Sequence, residues 1–153
     1  MIYNHDLKLN SYKYLQINKS LVPTGRFKSV KKTIYDFLNF ENIGKKIDYF
    51  KNKKPNIKFK GFDTTFVIKK NTRNLVGTLK NNNSNIQVDF FSNLPGVQLY
   101  SAQNLNYKKK LFPYQGICLE TQYFPDTPNK KNFPSTLIEP NKRYTCFTKI
   151  KIS

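Results

Sequence analysis

Acidic side chains are scarce in this chain: 9 Asp and Glu stand against 27 Lys and Arg, beside one His, two Cys and no Trp in 153 residues. Each shortage narrows the chemistry. A single histidine, His5, makes no metal site without carboxylate or thiolate helpers at suitable spacing, and neither cysteine stands in a CxxC or Cys/His pattern. Cys118 and Cys146 lie in apolar runs and read as small buried hydrophobes rather than as ligands or a disulfide. No stretch approaches the ~20 apolar residues of a membrane span, and the amino-terminal MIYNHDLKLN has no apolar signal-like core. A soluble cytoplasmic protein with no membrane partner is the expectation.

The shortage of acids leaves a formal net charge of +18, which raises nucleic acid as a partner. The bases, however, are scattered as short runs at Lys31-Lys32, Lys45-Lys46, Lys51 to Lys54, Lys69-Lys70, Lys108 to Lys110 and Lys130-Lys131, mostly beside turn residues and Asn. No arginine-rich stripe or nucleic-acid motif organises them. They read as the solvated surface of a compositionally biased chain, and no nucleic-acid partner is expected.

What is present suits an antiparallel β core. Aromatics make up 15% of the chain, and Pro and Gly fall between the apolar runs, where turns need them. The length fits a single domain over residues 1–153. Leu7, Leu9, Tyr12 and Tyr14 alternate with polar residues as a strand interrupted near Asn10-Ser11, followed by a turn at Pro23 to Gly25. Thr33 to Phe50 reads either as a helical stripe of Ile34, Phe37, Leu38 and Ile43 or as an irregular loop. A basic loop at Lys51 to Lys58 precedes short apolar runs at Phe66 to Ile68 and Leu75 to Leu79. Ile86, Val88 and Phe90 then alternate with polar residues. Past the turn at Asn93 to Gly96, Val97 to Ser101 reads as the antiparallel partner of that strand. A last strand carries Ile150 and Ile152. Strands at this spacing predict an all-β antiparallel sandwich.

The stretch CLETQYFPD, Cys118 to Asp126, sets an isolated carboxylate in an apolar strand-like run. With a period of two, Cys118, Glu120 and Gln122 share one face. An ionised group is costly to bury unpartnered, so Glu120 is either paired, lining a polar cleft, or a surface-facing acid. Asp63 in GFDTTF and Gln98 in PGVQLY complete a set of acids and amides of the kind that holds several sugar hydroxyls at once. Asp63 is equally compatible with a turn cap, and Gln98 with a solvent-facing position.

The order of these segments adds to that reading. His5-Asp6-Leu7 with Tyr14-Leu15, then LVPTG at Leu21 to Gly25, TIYDF at Thr33 to Phe37, GFD at Gly61 to Asp63, LPGVQLY at Leu94 to Tyr100, CLETQYFPD at Cys118 to Asp126 and FPS at Phe133 to Ser135 run along essentially the whole chain. In this order they resemble the carboxy-terminal half of the aldose 1-epimerase (galactose mutarotase) family. The resemblance implies a large antiparallel sandwich with an open cleft, an aldohexose substrate, and interconversion of its α and β anomers with no cofactor or metal. It implies Glu120 as the general base and Asp63 and Gln98 as residues that hold sugar hydroxyls.

The family's acid histidine belongs to an Asn-His motif upstream of the matched region, as do a second sugar-site histidine and a binding arginine. His5 matches a different histidine, read as structural, and Thr64 stands where the family commonly has His. The expectation is a truncated or split epimerase whose partial sandwich is completed by an amino-terminal partner chain or by self-association. The alternative is a non-catalytic carbohydrate-binding module of the same fold.

Overall fold

The computed structural model describes residues 1–53, 60–108 and 110–153. In chain order the strands are β1 (His5–Leu9), β2 (Ser11–Ile17), β3 (Pro23–Ser29) and β4 (Glu41–Asn42). Helix α1 (Ile43–Lys53) follows, then β5 (Asp63–Ile68), β6 (Leu75–Asn81), β7 (Gln87–Ser92), β8 (Gly96–Tyr100), β9 (Cys118–Gln122) and β10 (Thr148–Ile152). They form two five-stranded sheets, β10-β7-β6-β1-β4 and β3-β2-β5-β8-β9, antiparallel throughout. The expected all-β antiparallel sandwich is what the chain builds.

Alternation decides which side chains enter the core. Leu7 and Leu9 of β1, Phe66 of β5 and Val97 and Leu99 of β8 are buried, while Lys8 between the two leucines is exposed. Phe37 packs on Phe62 and Phe66 at ring-centroid distances of 5.3 and 6.0 Å, and Tyr35 approaches the same two rings. Helix α1 buries Ile43, Ile47 and Phe50, spaced to share one helical face. Only Ile43 of the predicted stripe belongs to the helix. The segment ahead of it is irregular, because Thr33 and Asp36 spend their side-chain oxygens on local backbone N–H groups. The basic loop expected over Lys51 to Lys58 starts inside α1, and its residues 54–58 lie outside the described residues, as does Lys109 of the Lys108 to Lys110 run.

Three local readings are corrected. The interruption at Asn10 is a passage between sheets, since β1 and β2 belong to different ones. The Asn10 amide donates to the carbonyls of Lys69 and Leu75, stitching the two layers there. Pro23 to Gly25 begins β3 rather than forming the turn. The turn lies just before, where the Asn18 carboxamide oxygen accepts from the backbone of Ser20 and Val22. The segment Asn93 to Gly96 also changes sheets, so β8 is not the partner of β7: β7 lies between β6 and β10, and β8 between β5 and β9. Nor are both cysteines buried. Cys118 is half-buried and Cys146 exposed, both as free thiols. Among the described residues no helix is long and apolar enough to cross a membrane.

Leu99→Ala should lower unfolding free energy by about 2–5 kcal/mol in a denaturant titration. Leu137→Ala, at a side chain 80% exposed, should change it by less than about 0.5 kcal/mol. Similar losses at the two positions would contradict the assigned core.

Candidate functional site

The outer face of the second sheet is built as rows across β5, β8 and β9. Asp63 pairs with Tyr100 and Tyr100 with Cys118; Thr65 pairs with Gln98 and Gln98 with Glu120. Directly opposed residues share a face, with Cβ atoms about 4.5–5.5 Å apart. The register therefore brings together all three residues singled out from the sequence: Asp63, Gln98 and Glu120. The cause is on the other side of the sheet, where Phe66, Val97 and Leu99 are buried and cannot turn outward.

Gln98 is the hub. Its amide nitrogen donates to Asp63 Oδ1 at 2.6 Å, and its amide oxygen accepts from the Thr65 hydroxyl at 2.5 Å. Asp63 thus opens a strand and does not serve as a turn cap, and Gln98 is half-buried and bonded. Glu120 is exposed, and among the described residues its carboxylate takes part in no ion pair or hydrogen bond. Of the readings open from the sequence, the structural ion pair is thereby excluded among those residues. Beside it on the same face, burial pushes the Cys118 thiol up, and the Glu120 carboxylate adds to the rise by disfavouring a second negative charge.

One border of this face is apolar. Leu15, Phe124 and Phe133 form a buried cluster against which Phe27 and Val67 pack. Phe124 and Phe133 stand 5.1 Å apart, which joins CLETQYFPD to FPS in space. Gly96 makes room for this wall, because a Cβ there would meet the Phe124 ring at 3.0 Å. At the opposite end Gly61 allows a close approach of another kind: a Cβ would lie 2.4 Å from Ser101 Oγ, the atom that accepts from the Phe62 backbone N–H. That bond, with Phe62 wholly buried, fixes the chain as it enters β5 at Asp63.

Asp63 also lines a recess of about 210 Å³ with Tyr14, Tyr35, Lys28 and Thr64. The Tyr14 and Tyr35 rings stack at 4.3 Å, and burial raises both phenols above their ordinary value. Thr64 points to the other face of β5 from Asp63 and Thr65, and its side chain bonds the Tyr35 phenol. His5 is remote in topology: it opens β1 in the other sheet, with Nε2 3.2 Å from the Asn81 amide nitrogen. Among the described residues no three His, Cys, Asp or Glu side chains gather as a metal site. Sequence reading missed Thr65, although the period of two starting at Asp63 puts it on the same face.

The sequence model of the family described as Aldose 1-epimerase matches residues 1–151. Galactose mutarotases of Pongo abelii and Mus musculus are each 29% identical to the chain, over 99% of it and 44% of their own length. The aldose 1-epimerase of Escherichia coli (strain K12) is 26% identical, over 95% of this chain and 44% of its own. The chain thus spans less than half the length of these relatives. Among solved structures, a GalM/aldose epimerase homologue from C. elegans superposes with a TM-score of 0.85 at 22% identity, over 100% of this chain and 46% of that one. A galactose 1-epimerase from Lactobacillus acidophilus NCFM gives 0.73 at 19% identity, over 99% and 44%. The two structures speak for the fold, and the match over residues 1–151 for the lineage: the chain belongs to the aldose 1-epimerase family.

Proposed function

We propose that the chain is the base-bearing part of an aldose 1-epimerase that interconverts the α and β anomers of an aldohexose such as glucose or galactose. One observation carries this reading: Asp63, Gln98 and Glu120 meet on a single sheet face, with the Glu120 carboxylate open to solvent and unpartnered among the described residues. Glu120 takes the proton of the anomeric hydroxyl. As that O–H electron pair becomes the second bond of a carbonyl at C1, the bond from C1 to the ring oxygen breaks, and the ring oxygen takes a proton from an acid. The free aldehyde turns about its bond to C2, and the reverse steps close the ring with the other configuration. Asp63 accepts from ring hydroxyls, and Gln98 both donates and accepts, so the sugar is held while its ring is open.

The acid is not His5, the only histidine, which belongs to the other sheet. In this reading it comes from the amino-terminal half of such an enzyme, seated beside β9. The same observation favours one competing reading, a non-catalytic sugar-binding module, since binding needs Asp63 and Gln98 but no acid.

Polarimetry on freshly dissolved α-D-galactose and α-D-glucose separates the two. In the epimerase reading the chain mixed with the amino-terminal half of a family member, which supplies the acid, accelerates mutarotation, and Glu120→Gln lowers the acceleration by about 10²-fold or more, the scale of a lost general base. No acceleration by that mixture, with galactose binding by the chain that survives Glu120→Gln, would speak for the binding module instead. The position of the carboxylate has its own check. Because Glu120 disfavours the Cys118 thiolate, Glu120→Gln should speed iodoacetamide labelling of Cys118 by roughly twofold, while labelling of exposed Cys146 stays constant. An unchanged Cys118 rate would mean that the two side chains are not neighbours.

A further inference from the structure

The geometry points to Thr65 as a positioning residue that fixes the rotamer and amide orientation of Gln98, and through it the side of Asp63 that remains free for a ligand. This rests on the reading of Asp63 and Gln98 as sugar-holding residues only for its consequence, not for its geometry.

The argument begins with what each group can do. An ionised carboxylate only accepts hydrogen bonds. The Gln98 atom 2.6 Å from Asp63 Oδ1 must therefore be the nitrogen, which leaves the amide oxygen toward Thr65. An amide oxygen only accepts, so the Thr65 hydroxyl must donate across its 2.5 Å contact. The order of donors and acceptors along Thr65, Gln98 and Asp63 thus has a single solution. Without the hydroxyl, the Gln98 oxygen would lose its partner beside a threonine that is only 6% exposed. A half-buried acceptor that loses its partner is destabilised, and the carboxamide would rotate toward solvent to recover one.

Held in this way, Gln98 keeps one amide proton and one oxygen lone pair uncommitted, and Asp63 keeps Oδ2 free of hydrogen bonds within the described residues. These are the groups that would meet sugar hydroxyls, and they stand next in row to Glu120, the residue directly opposite Gln98 on β9. The hydroxyl of Thr65 does not need to touch the sugar. It acts through Gln98 by making the free donor and acceptor predictable in direction, and preorganisation of that kind lowers the cost of binding. The neighbouring residue Thr64 cannot substitute, because it faces the other way.

The test is to follow the Gln98 side-chain amide by ¹H–¹⁵N NMR in the intact chain, assigned by its loss in Gln98→Met. Its proton bonded to Asp63 should be shifted downfield, with two inequivalent signals and restricted motion. Thr65→Val, close to isosteric, should move these signals to the positions and mobility of a solvent-exposed glutamine, and Thr65→Ser should restore them. A wild-type Gln98 amide that is as mobile as a free side chain would overturn the inference, and this arm holds even if Thr65→Val fails to fold. So would Gln98 signals unchanged in a folded Thr65→Val. Galactose titration of the same samples reads the consequence separately, with an affinity loss of about 2–10-fold expected in Thr65→Val and rescue in Thr65→Ser, the scale of one lost hydrogen bond. If the Gln98 signals respond as stated while no variant, Asp63→Asn included, alters sugar affinity, the positioning role stands and the sugar-site reading of Asp63 and Gln98 falls.

Discussion

The register of β5 against β8 and of β8 against β9 is the constraint from which the candidate site follows. On β5 and β8 it is held from behind, and Leu119 of β9 packs half-buried on the same core. Phe66, Val97 and Leu99 are buried to the last few per cent, and each marks one face of its strand as the inner one. A slip of one residue would turn these side chains to water and drive Gln98 and its neighbours into the core, at a cost of roughly 1.5–3 kcal/mol for each large apolar side chain re-exposed. Polar groups placed on the outer face inherit that precision without contributing to it. This is why a cluster of amides, hydroxyls and carboxylates can sit in fixed order on a surface that offers them little packing of its own.

The lateral boundaries are set by equally ordinary means. Phe124 comes two residues after the end of β9 and folds over Gly96, so the strand that carries Glu120 also delivers the apolar wall beside it. At the other end the Ser101 hydroxyl ties β8 to the entry of β5 through the Phe62 backbone. The segments TIYDF and FPS serve the face mainly by packing, although Tyr35 also lines the recess beside Asp63. Tyr35 and Phe37 pack beneath it, and Phe133 beside it. A short motif can therefore belong to a site while acting mainly through packing.

This division explains what was legible in the sequence. Alternation of residue type gave β7, β8 and β9 and the all-β class, although only β8 buries one face in full and β7 and β9 are half-buried along most of their length. It could not give the partners: a strand's pattern records which face is buried but not which strand lies alongside, so the passage from β7 to β8 read as a hairpin when it is a change of sheet. Helix α1 was ambiguous because its apolar side is narrow, three residues among lysines, and the aromatic residues ahead of it mimic a helical stripe while serving the core from a loop. Asp63, Gln98 and Glu120 were found by residue type and by the order of the motifs around them. Thr65 was passed over because a threonine in a β-branched run looks like a strand former, and only the neighbouring strand gives its hydroxyl a specific partner. The apolar run around Cys146 reads as a buried segment, yet the final part of the chain lies on the surface: Leu137, Ile138, Ile150 and Ile152 are all more than half exposed.

Glu120 lies on a strand at the margin of its sheet, since β9 has β8 on one side and no described strand on the other. Two consequences follow from that position. Among the described residues the outer edge of β9 has no strand partner for its backbone N–H and C=O groups, the natural docking line for a further strand. And the carboxylate faces water, whose hydration shell must be displaced before a proton can pass to it from a sugar hydroxyl. A floor that positions the hydroxyl-binding groups is built by β5 and β8 alone, whereas an enclosed base requires cover from beyond β9. Under the proposed function a single added element beside β9 would meet both needs, pairing the open edge and excluding water from Glu120, and it would also be the element from which an acid could reach the ring oxygen of a sugar held by Asp63 and Gln98.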